Sequence, residues 1–123
     1  IPDRFQGRSL LAAVRGDGKD LREEIHYEFD YRSAAWAIEP DTDMDQHLLW
    51  VIRDARYKYV HFADERMPPL LFDLVADPGE FENLAGRPEH ASTVIDYCQR
   101  LLCWRMRHED QRMEYWAAQL RYS

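Results

Sequence analysis

The acidic residues between Leu70 and Ala85 have types and a spacing that could do chemistry. The stretch reads LLFDLVADPGEFENLA and carries carboxylates at Asp73, Asp77, Glu80 and Glu82. Carboxylates this close together can act as general acid and base, or bind a divalent cation. They can equally belong to a polar connection between two elements.

The residues around these carboxylates favour a connection. Apolar residues precede them, and the DPGE sequence at residues 77–80 fits a type II turn. In that turn Pro fixes φ at the second position and Gly permits a positive φ at the third. Asn83 and Gly86 then lead towards a helix that begins near Pro88. The carboxylates need no metal ion to explain them, so we predict no catalytic and no metal-binding residue in this stretch.

A second acidic group, formed by Asp41, Asp43 and Asp45, has the spacing that opens an EF-hand calcium loop. That loop requires Gly at its sixth position and Glu at its twelfth. Here those positions hold Gln46 and Ile52. We therefore interpret the group as an acidic surface loop.

A third group, His26, Glu28 and Asp30, alternates along a predicted strand, so that its side chains share one face. Such a face could converge on a metal ion. A polar outer face is also what any half-solvated strand shows, and we favour that interpretation.

His47 and His61 have neither a His partner at i+4 nor a thiolate at zinc spacing. We interpret His47 and His61 as core or edge residues, and His90 and His108 as solvated.

Nucleophilic chemistry finds no support in the sequence. There is no nucleophile elbow, no phosphate-binding glycine loop and no Cys-x-x-Cys motif. Cys98 and Cys103 lie on a predicted helix at a spacing that turns them away from each other, so we expect no disulfide between them. We expect buried free thiols in a reducing compartment, which implies a cytoplasmic location.

The composition indicates one folded domain. The chain of 123 residues has the length of a single domain, and its 46% hydrophobic and 13% aromatic content argues against disorder. The net charge of −7 disfavours binding to nucleic acid or to an anionic membrane surface. No apolar run approaches the roughly 18 residues of a membrane span. The tryptophans are too dispersed to form a platform for stacked bases: Trp36, Trp50, Trp104 and Trp116.

Strands come first along the chain and helices follow. Residues 24–32 alternate strictly between apolar and polar side chains, which predicts a half-buried antiparallel strand. Residues 47–54 and 57–62 read as a hairpin, and residues 70–74 as a further strand. A short helix is predicted before them at residues 7–15, with Ser9 as a possible cap. This order predicts an α+β fold in which a small antiparallel sheet of about four strands packs against a long C-terminal helix.

The long helix is predicted from Pro88 onward, because the hydrophobic period changes there to that of a helix. A weaker helix is predicted at residues 111–122, whose large apolar side chains either return to the core or bind a partner. The apolar stripe of the long helix comprises Ala91, Val94, Ile95, Cys98, Leu101 and Leu102, and the terminal group comprises Tyr115, Trp116, Leu120 and Tyr122.

Three pieces of this sequence resemble the C-terminal region of the sulfatases, which belong to the alkaline-phosphatase superfamily. They are GRSLLAAVRG at residues 7–16, RDARYKYV at residues 53–60 and LFDLVADPGEFENLA at residues 71–85. The tail LLCWRMRHED at residues 101–110 is similar to the phosphonate monoester hydrolase branch, whose members cleave phosphonate, phosphate and sulfate esters.

The resemblance implies that residues 1–123 are the small C-terminal subdomain of an alkaline-phosphatase-like fold, without the catalytic N-terminal α/β domain. Members of the family use a formylglycine made in a Cys/Ser-x-Pro-x-Arg motif and a divalent metal held by Asp, Asn and His residues of the N-terminal domain. Neither Cys98 nor Cys103 stands in that motif. The resemblance therefore places no catalytic, cofactor-binding or metal-binding residue in this chain.

Two functions remain open from the sequence. In the first, the chain is a fragment of an arylsulfatase or phosphonate monoester hydrolase and has a structural role. Its partners are then the missing catalytic domain and, as the resemblance implies, further copies in a homo-oligomer. In the second, the chain is a free-standing interaction module without catalytic activity. An independent metal site on the face of His26, Glu28 and Asp30 is a weaker third interpretation.

Overall fold

A four-stranded antiparallel sheet and one long helix form most of the structure, a computed structural model that describes residues 10–16, 22–31 and 46–108. This architecture confirms the α+β prediction. A single turn of 3-10 helix, Pro88–His90, leads into the long helix, and Pro88 starts that turn as the sequence predicted. The elements in chain order are helix α1 (Leu11–Val14), strands β1 (Glu24–Asp30), β2 (Leu48–Asp54), β3 (Tyr57–Phe62) and β4 (Leu70–Asp73), and helix α2 (Ala91–His108).

The strands lie in the sheet in chain order, and each pairs antiparallel with the next. The connection between β2 and β3 is only two residues long and has no Asn-Gly pair. Instead, Asp54 Oδ1 accepts hydrogen bonds from the backbone N–H groups of Arg56 and Tyr57, each at 2.9 Å. The carboxylate therefore holds this turn, as Asp and Asn side chains commonly do.

The register divides the sheet into two faces. Tyr27 lies opposite Val51, and Val51 lies opposite Val60, so these residues share one face. His26 and Ile52 lie on the other face. That second face packs against α2 around a buried cluster formed by Ile52, Tyr59, Leu71, Leu84, Tyr97 and Leu101.

The sequence predicted that the apolar face of strand β1 is buried and its polar face solvated, and the structure shows the reverse. Its polar side chains lie towards α2, where Glu24 and Glu28 pair with arginines of the helix. Its apolar residues Ile25, Tyr27 and Phe29 are 45%, 41% and 50% exposed. Alternation reveals that a strand has two different faces, but the partners on α2 decide which one is covered.

Helix α2 packs through a stripe that differs from the prediction. Tyr97 and Leu101 are buried, and Val94 and Cys98 pack beside them. Ile95 and Leu102, which the apolar stripe included, are 59% and 56% exposed, so that part of the prediction was wrong. The inner face also carries polar residues that bond to β1 and β2. Because these residues face the sheet, the packed stripe of α2 differs from the one predicted from hydropathy alone.

The segment after β4 folds back along the edge of that strand. The Asn83 side-chain oxygen accepts a hydrogen bond from Leu71 N at 3.0 Å, and Leu84 N donates to Leu71 O at 2.8 Å. Asn83 Nδ2 also donates to Pro69 O at 3.2 Å. One amide side chain thus covers part of an otherwise open strand edge.

The turn at residues 77–80 is not the predicted type II turn. Glu80 N donates to Asp77 O at 3.1 Å, but Gly79 does not have a positive φ. Glu80 takes the left-handed conformation instead, with φ 58°. This arrangement fits a type I turn, in which both central residues have negative φ, followed by a left-handed residue. The turn spans the predicted residues, but its left-handed residue lies one position later than in a type II turn.

Several predicted features lie outside the described residues. They are Ser9, the acidic loop with Asp41, Asp43 and Asp45, Trp36, and the terminal helix with Tyr115, Trp116, Leu120 and Tyr122. Within the described ranges, no helix is long and apolar enough to cross a membrane.

Candidate functional site

A connected polar network lies where α2 packs over β1 and β2. Arg100 of α2 donates from Nε to Glu24 Oε2 at 3.1 Å and from Nη2 to Asp54 Oδ2 at 3.2 Å. Tyr97, one helical turn earlier, donates its hydroxyl to the same Asp54 oxygen. The guanidinium carbon of Arg100 also lies 4.3 Å from the centre of the Tyr97 ring. Four side chains from three elements thus form one hydrogen-bonded unit.

The two carboxylates of this network are stabilised as anions. Partial burial by itself raises the pKa of Glu24, but hydrogen bonds from Arg100 and His26 bring it below the ordinary value. Burial likewise acts to raise the pKa of Asp54, and hydrogen bonds from Tyr97 and from the backbone of Tyr57 and Arg56 outweigh it. Both groups are therefore more acidic than in the unfolded chain.

The two donors of the network hold their protons more tightly than usual. Burial and the hydrogen bond to Asp54 raise the pKa of Tyr97 to about 12. Burial opposes the charge of Arg100, but its bonds to Glu24, Tyr97 and Asp54 raise its pKa further. General acid–base catalysis needs a group that titrates near the working pH. Since none of these four groups does so, the network fastens the helix to the sheet and is not suited to move protons.

An aromatic stack continues the contact along β1. His26 donates from Nε2 to Glu24 Oε1 at 2.8 Å, and its ring stacks on Trp104 with centroids 4.4 Å apart and planes 4° apart. Trp104 stacks in turn on His108, whose Nδ1 donates to the Trp104 carbonyl at 2.7 Å. The His26 side chain is only 6% exposed, and its Nδ1 has no hydrogen-bond partner among the described residues. The prediction that His26 faces solvent was wrong, because its ring is buried against Trp104. His108 also stacks on Trp104 and remains partly exposed.

The proposed metal face of β1 is occupied by contacts of another kind. Glu28 pairs with Arg105 at 2.9 Å, and the guanidinium of Arg105 lies 4.5 Å from the centre of the Trp50 ring. Glu24 pairs with Arg100. Within residues 10–16, 22–31 and 46–108, no group of three or more His, Cys, Asp or Glu side chains could hold a metal ion.

The carboxylates between β4 and α2 each have a separate partner. Asp73 Oδ1 accepts from Val75 N at 3.0 Å and from Ala76 N at 3.2 Å, and the Ala76 contact is the main reason why its pKa is lowered. The others divide as follows: Asp77 Oδ2 accepts from Glu82 N at 2.8 Å, Glu80 pairs with Lys58 at 2.6 Å, and Glu82 pairs with Arg87. Each carboxylate supports the backbone or a neighbouring cation, as expected of a connection.

The two thiols are both free, but only one is even partly buried. Cys98 packs beside the core and lies close to Tyr59, where burial and the thiol raise the pKa of the tyrosine. The Tyr59 hydroxyl is also 3.0 Å from His61 Nδ1. Cys103 is exposed, so the prediction of a buried thiol was wrong there. It stands next to the exposed Leu102, on the side of α2 that the sheet leaves uncovered.

A depression of about 310 Å³ opens beside the end of β3, lined by residues that include Tyr31, His47 and Phe62. Its charged residues, Asp64 and Arg66, pair with each other at 2.9 Å. Arg66 also donates to Gln46 at 3.0 Å. The charges are satisfied locally, so the depression presents no convergent catalytic group.

Sequence reasoning missed the central residues of the polar network. Tyr97 and Arg100 are three residues apart, a spacing that places them on one face of a helix. Glu24 and Asp54, at facing ends of two paired strands, are partners in the register. The helical spacing was readable in the sequence. The link between helix and strands was not, because it joins residues 76 positions apart.

Comparison with known proteins gives a consistent result. A family model described as N-sulphoglucosamine sulphohydrolase, C-terminal, matches residues 1–107. The chain is 46% identical over 119 residues to the multifunctional alkaline phosphatase superfamily protein PehA of Trinickia caryophylli. The aligned region covers 94% of this chain and 23% of PehA.

Two solved structures share the fold. The phosphonate monoester hydrolase SpPMH of Silicibacter pomeroyi matches with a TM-score of 0.75 and 34% identity, over 90% of this chain and 22% of its own. The phosphonate monoester hydrolase of Agrobacterium radiobacter matches with a TM-score of 0.71 and 36% identity, over 89% of this chain and 22% of its own. The chain therefore spans less than a quarter of the length of these relatives.

Proposed function

The chain belongs to the N-sulphoglucosamine sulphohydrolase C-terminal family, a region of sulfatases in the alkaline-phosphatase superfamily, and from this we propose its function. It is the C-terminal part of a sulfatase-family hydrolase. The full-length protein hydrolyses sulfate or phosphonate and phosphate monoesters, and residues 1–123 form its non-catalytic subdomain. The family match over residues 1–107 carries this proposal, and the two phosphonate monoester hydrolases of the same fold support it.

We assign the ester hydrolysis of the full-length protein to the domain that precedes this region. A divalent metal would need several free carboxylate or imidazole ligands, but the described residues of this chain offer no such group. Formylglycine would need Cys or Ser in a Cys/Ser-x-Pro-x-Arg sequence, and neither Cys98 nor Cys103 meets that requirement. The residues present fit neither the metal nor the formylglycine, so we propose that both are supplied by the catalytic domain.

The role of this chain is then to pack and to assemble. The polar network joins α2 to β1 and β2, which makes a rigid unit beside the catalytic domain. The outer side of α2 carries Ile95, Leu102 and Met106 with 59%, 56% and 69% exposure, and these residues are suited to contacts between copies in a homo-oligomer. The exposed thiol of Cys103 beside them supports a reducing, cytoplasmic location.

The full-length protein provides the test. We expect it to hydrolyse an aryl sulfate, a phosphonate monoester or a phosphate monoester in the presence of a divalent metal. We also expect the sequence before Ile1 to contain the Cys/Ser-x-Pro-x-Arg motif, and replacement of its Cys or Ser by Ala to abolish turnover. An initiating Met directly before Ile1 would contradict this proposal and favour the free-standing interaction module.

A further inference from the structure

The outer side of α2 carries a row of side chains that the described elements leave exposed. Ile95, Leu102 and Met106 are 59%, 56% and 69% exposed, and the exposed Gln99 lies between the first two. Steps of four, three and four residues place these four side chains in one line along the helix. This is the spacing at which two helices pack side by side. The buried residues of α2 lie on the opposite side of the helix.

Charges of opposite sign lie beside the two ends of this row. Asp96 follows Ile95, and Arg107 follows Met106. The two charged residues are eleven positions apart, about three helical turns, so they lie on the same flank of the row. The Asp96 side chain is 62% exposed and reaches Arg100 only at 3.5 Å. Arg107 is exposed and has no ion pair within the described part of the chain.

This pattern is complementary to itself under a two-fold rotation. The apolar ends of the row and the two charges each have their midpoint within one residue of position 101. When two α2 helices lie antiparallel across an axis at that point, Ile95 of one copy meets Met106 of the other. Asp96 then lies opposite Arg107, and the rotation makes each contact twice. A parallel pair would instead set each charge against a like charge, which is costly at an interface.

We propose that two copies of the full-length protein pair through their α2 helices, antiparallel about a two-fold axis near residue 101. The inference rests on the proposed function for the homo-oligomer, and it names the surface and the orientation of the contact. The apolar row is covered by the same row of the second copy, and two Asp96–Arg107 ion pairs flank it. Cys103, on the flank that carries both charges, lies near the axis, so the thiols of the two copies face each other.

The test exchanges the two charges in the full-length protein. Asp96→Arg and Arg107→Asp are made separately and together, and sedimentation velocity over a range of concentrations gives the dissociation constant of the dimer. Each single substitution opposes like charges, so we expect that constant to rise roughly tenfold. Asp96→Arg also loses the contact to Arg100, but the double variant shares that loss. Recovery of tight pairing in the double variant therefore isolates the contact between copies.

Glu89→Arg is the control, because Glu89 is exposed and precedes α2. It is expected to leave the dissociation constant unchanged. A full-length protein that is monomeric at every concentration would overturn the inference, and so would a double variant that pairs no more tightly than the single ones. An oligomer that both single variants leave unchanged would show that another surface joins the copies, which also overturns it.

The native thiol provides a second measurement should the charged variants fail to fold. A short bismaleimide is expected to join two unmodified copies through Cys103, as identified by peptide-resolved mass spectrometry, and Leu102→Lys is expected to abolish that product. Absence of the Cys103 cross-link in the unmodified protein would contradict the inference.

Ester hydrolysis is assayed on the same samples, so that the two proposals can fail separately. An active enzyme whose assembly ignores both charges contradicts only the contact through α2. An inactive protein that shows the expected charge dependence contradicts only the proposed catalytic activity.

Discussion

Arg100 is the residue on which the contact between helix and sheet depends. It bonds to carboxylates from two strands, Glu24 and Asp54, and its guanidinium packs over Tyr97. Removing it leaves Glu24 without its main partner and Asp54 without its pairing cation, although Asp54 keeps its bonds from Tyr97 and from two backbone N–H groups. An uncompensated charge is more costly than a lost attraction. The side chains are about a third exposed or less, so solvent screening reduces this cost.

We predict that Arg100→Met destabilises α2 by about 1–2 kcal/mol, as expected for charged hydrogen bonds at partial exposure. The measurement is hydrogen exchange of the α2 amides in the full-length protein, which should be faster by roughly tenfold. Arg56→Met is the matched control. Arg56 is 66% exposed and reaches Asp73 only at 3.5 Å, so exchange should stay within about twofold of the unmodified protein. Equal effects of the two substitutions would contradict the account.

The lowered pKa values of Glu24 and Asp54 predict a loss of stability in acid. Carboxyls with a folded-state pKa below the ordinary values of 4.5 and 3.8 stabilise the fold fully above those values. That contribution is lost as pH falls from about 4.5 through the lower folded-state values. Protection factors of the α2 amides should therefore stay constant from about pH 6 to about pH 5 and drop as pH falls below about 4.5. The drop should be smaller in Arg100→Met, which lacks one of the bonds that lower both pKa values. Parallel curves for the two proteins would count against the network.

Two local predictions show what single residues can and cannot reveal. The carboxylates of residues 73–82 were correctly interpreted as parts of a connection, because Asp before a turn commonly binds backbone N–H groups. The turn type was wrong, since Glu80 and not Gly79 has the positive φ. An added Cβ at Gly79 would lie 2.2 Å from the ring of Phe81, but that ring is 92% exposed and free to rotate, so neither φ nor close contact requires glycine here.

At the scale of elements, the edge of β4 depends on one side chain. Asn83 accepts from Leu71 N and Ala85 N, each at 3.0 Å, and donates to Pro69 O at 3.2 Å. The NLA sequence at residues 83–85 is thus explained by the hydrogen bonds that close a strand edge, where unpaired backbone groups invite pairing with other chains.

We predict that Asn83→Ala lowers the free energy of unfolding by about 1–3 kcal/mol, because Leu71 N loses its acceptor. Asn83→Asp keeps the two acceptor bonds and loses only the donor, so its cost should be clearly smaller. Urea unfolding of the 123-residue chain measures both. A larger loss for Asn83→Asp than for Asn83→Ala would show that the amide donor, and not the acceptor, holds the edge.

The elements themselves were largely predictable, and their packing was not. Strand β3 has the predicted bounds, and β2 and β4 differ from the prediction by a single terminal residue. Alternation and turn spacing are local, so the sequence carries them directly. The covered face of β1 and the inner face of α2 depend on contacts between distant parts of the chain. Local patterns contain no information on which of two possible faces meets a partner.

At the scale of the whole molecule, the described part of the chain exposes apolar residues on both the sheet and α2. One face of the sheet is fastened to α2, the other is apolar, and the outer side of α2 exposes further apolar residues. The described residues contain no cluster that could hold a metal. The resemblance read from residues 7–16, 53–60 and 71–85 identified the family, and the family match over residues 1–107 confirmed it. The site could not be predicted in this chain because the family's catalytic motif does not occur in it.

We propose that this chain contributes structure and no chemistry to a hydrolase. The most direct measurement is the initial rate of hydrolysis of an aryl sulfate and of a phosphonate monoester by the purified 123-residue chain, with and without divalent metal, beside the full-length protein. We predict no turnover by the chain in any condition and clear turnover by the full-length protein with metal. Turnover that follows the purified chain through successive columns would contradict the claim.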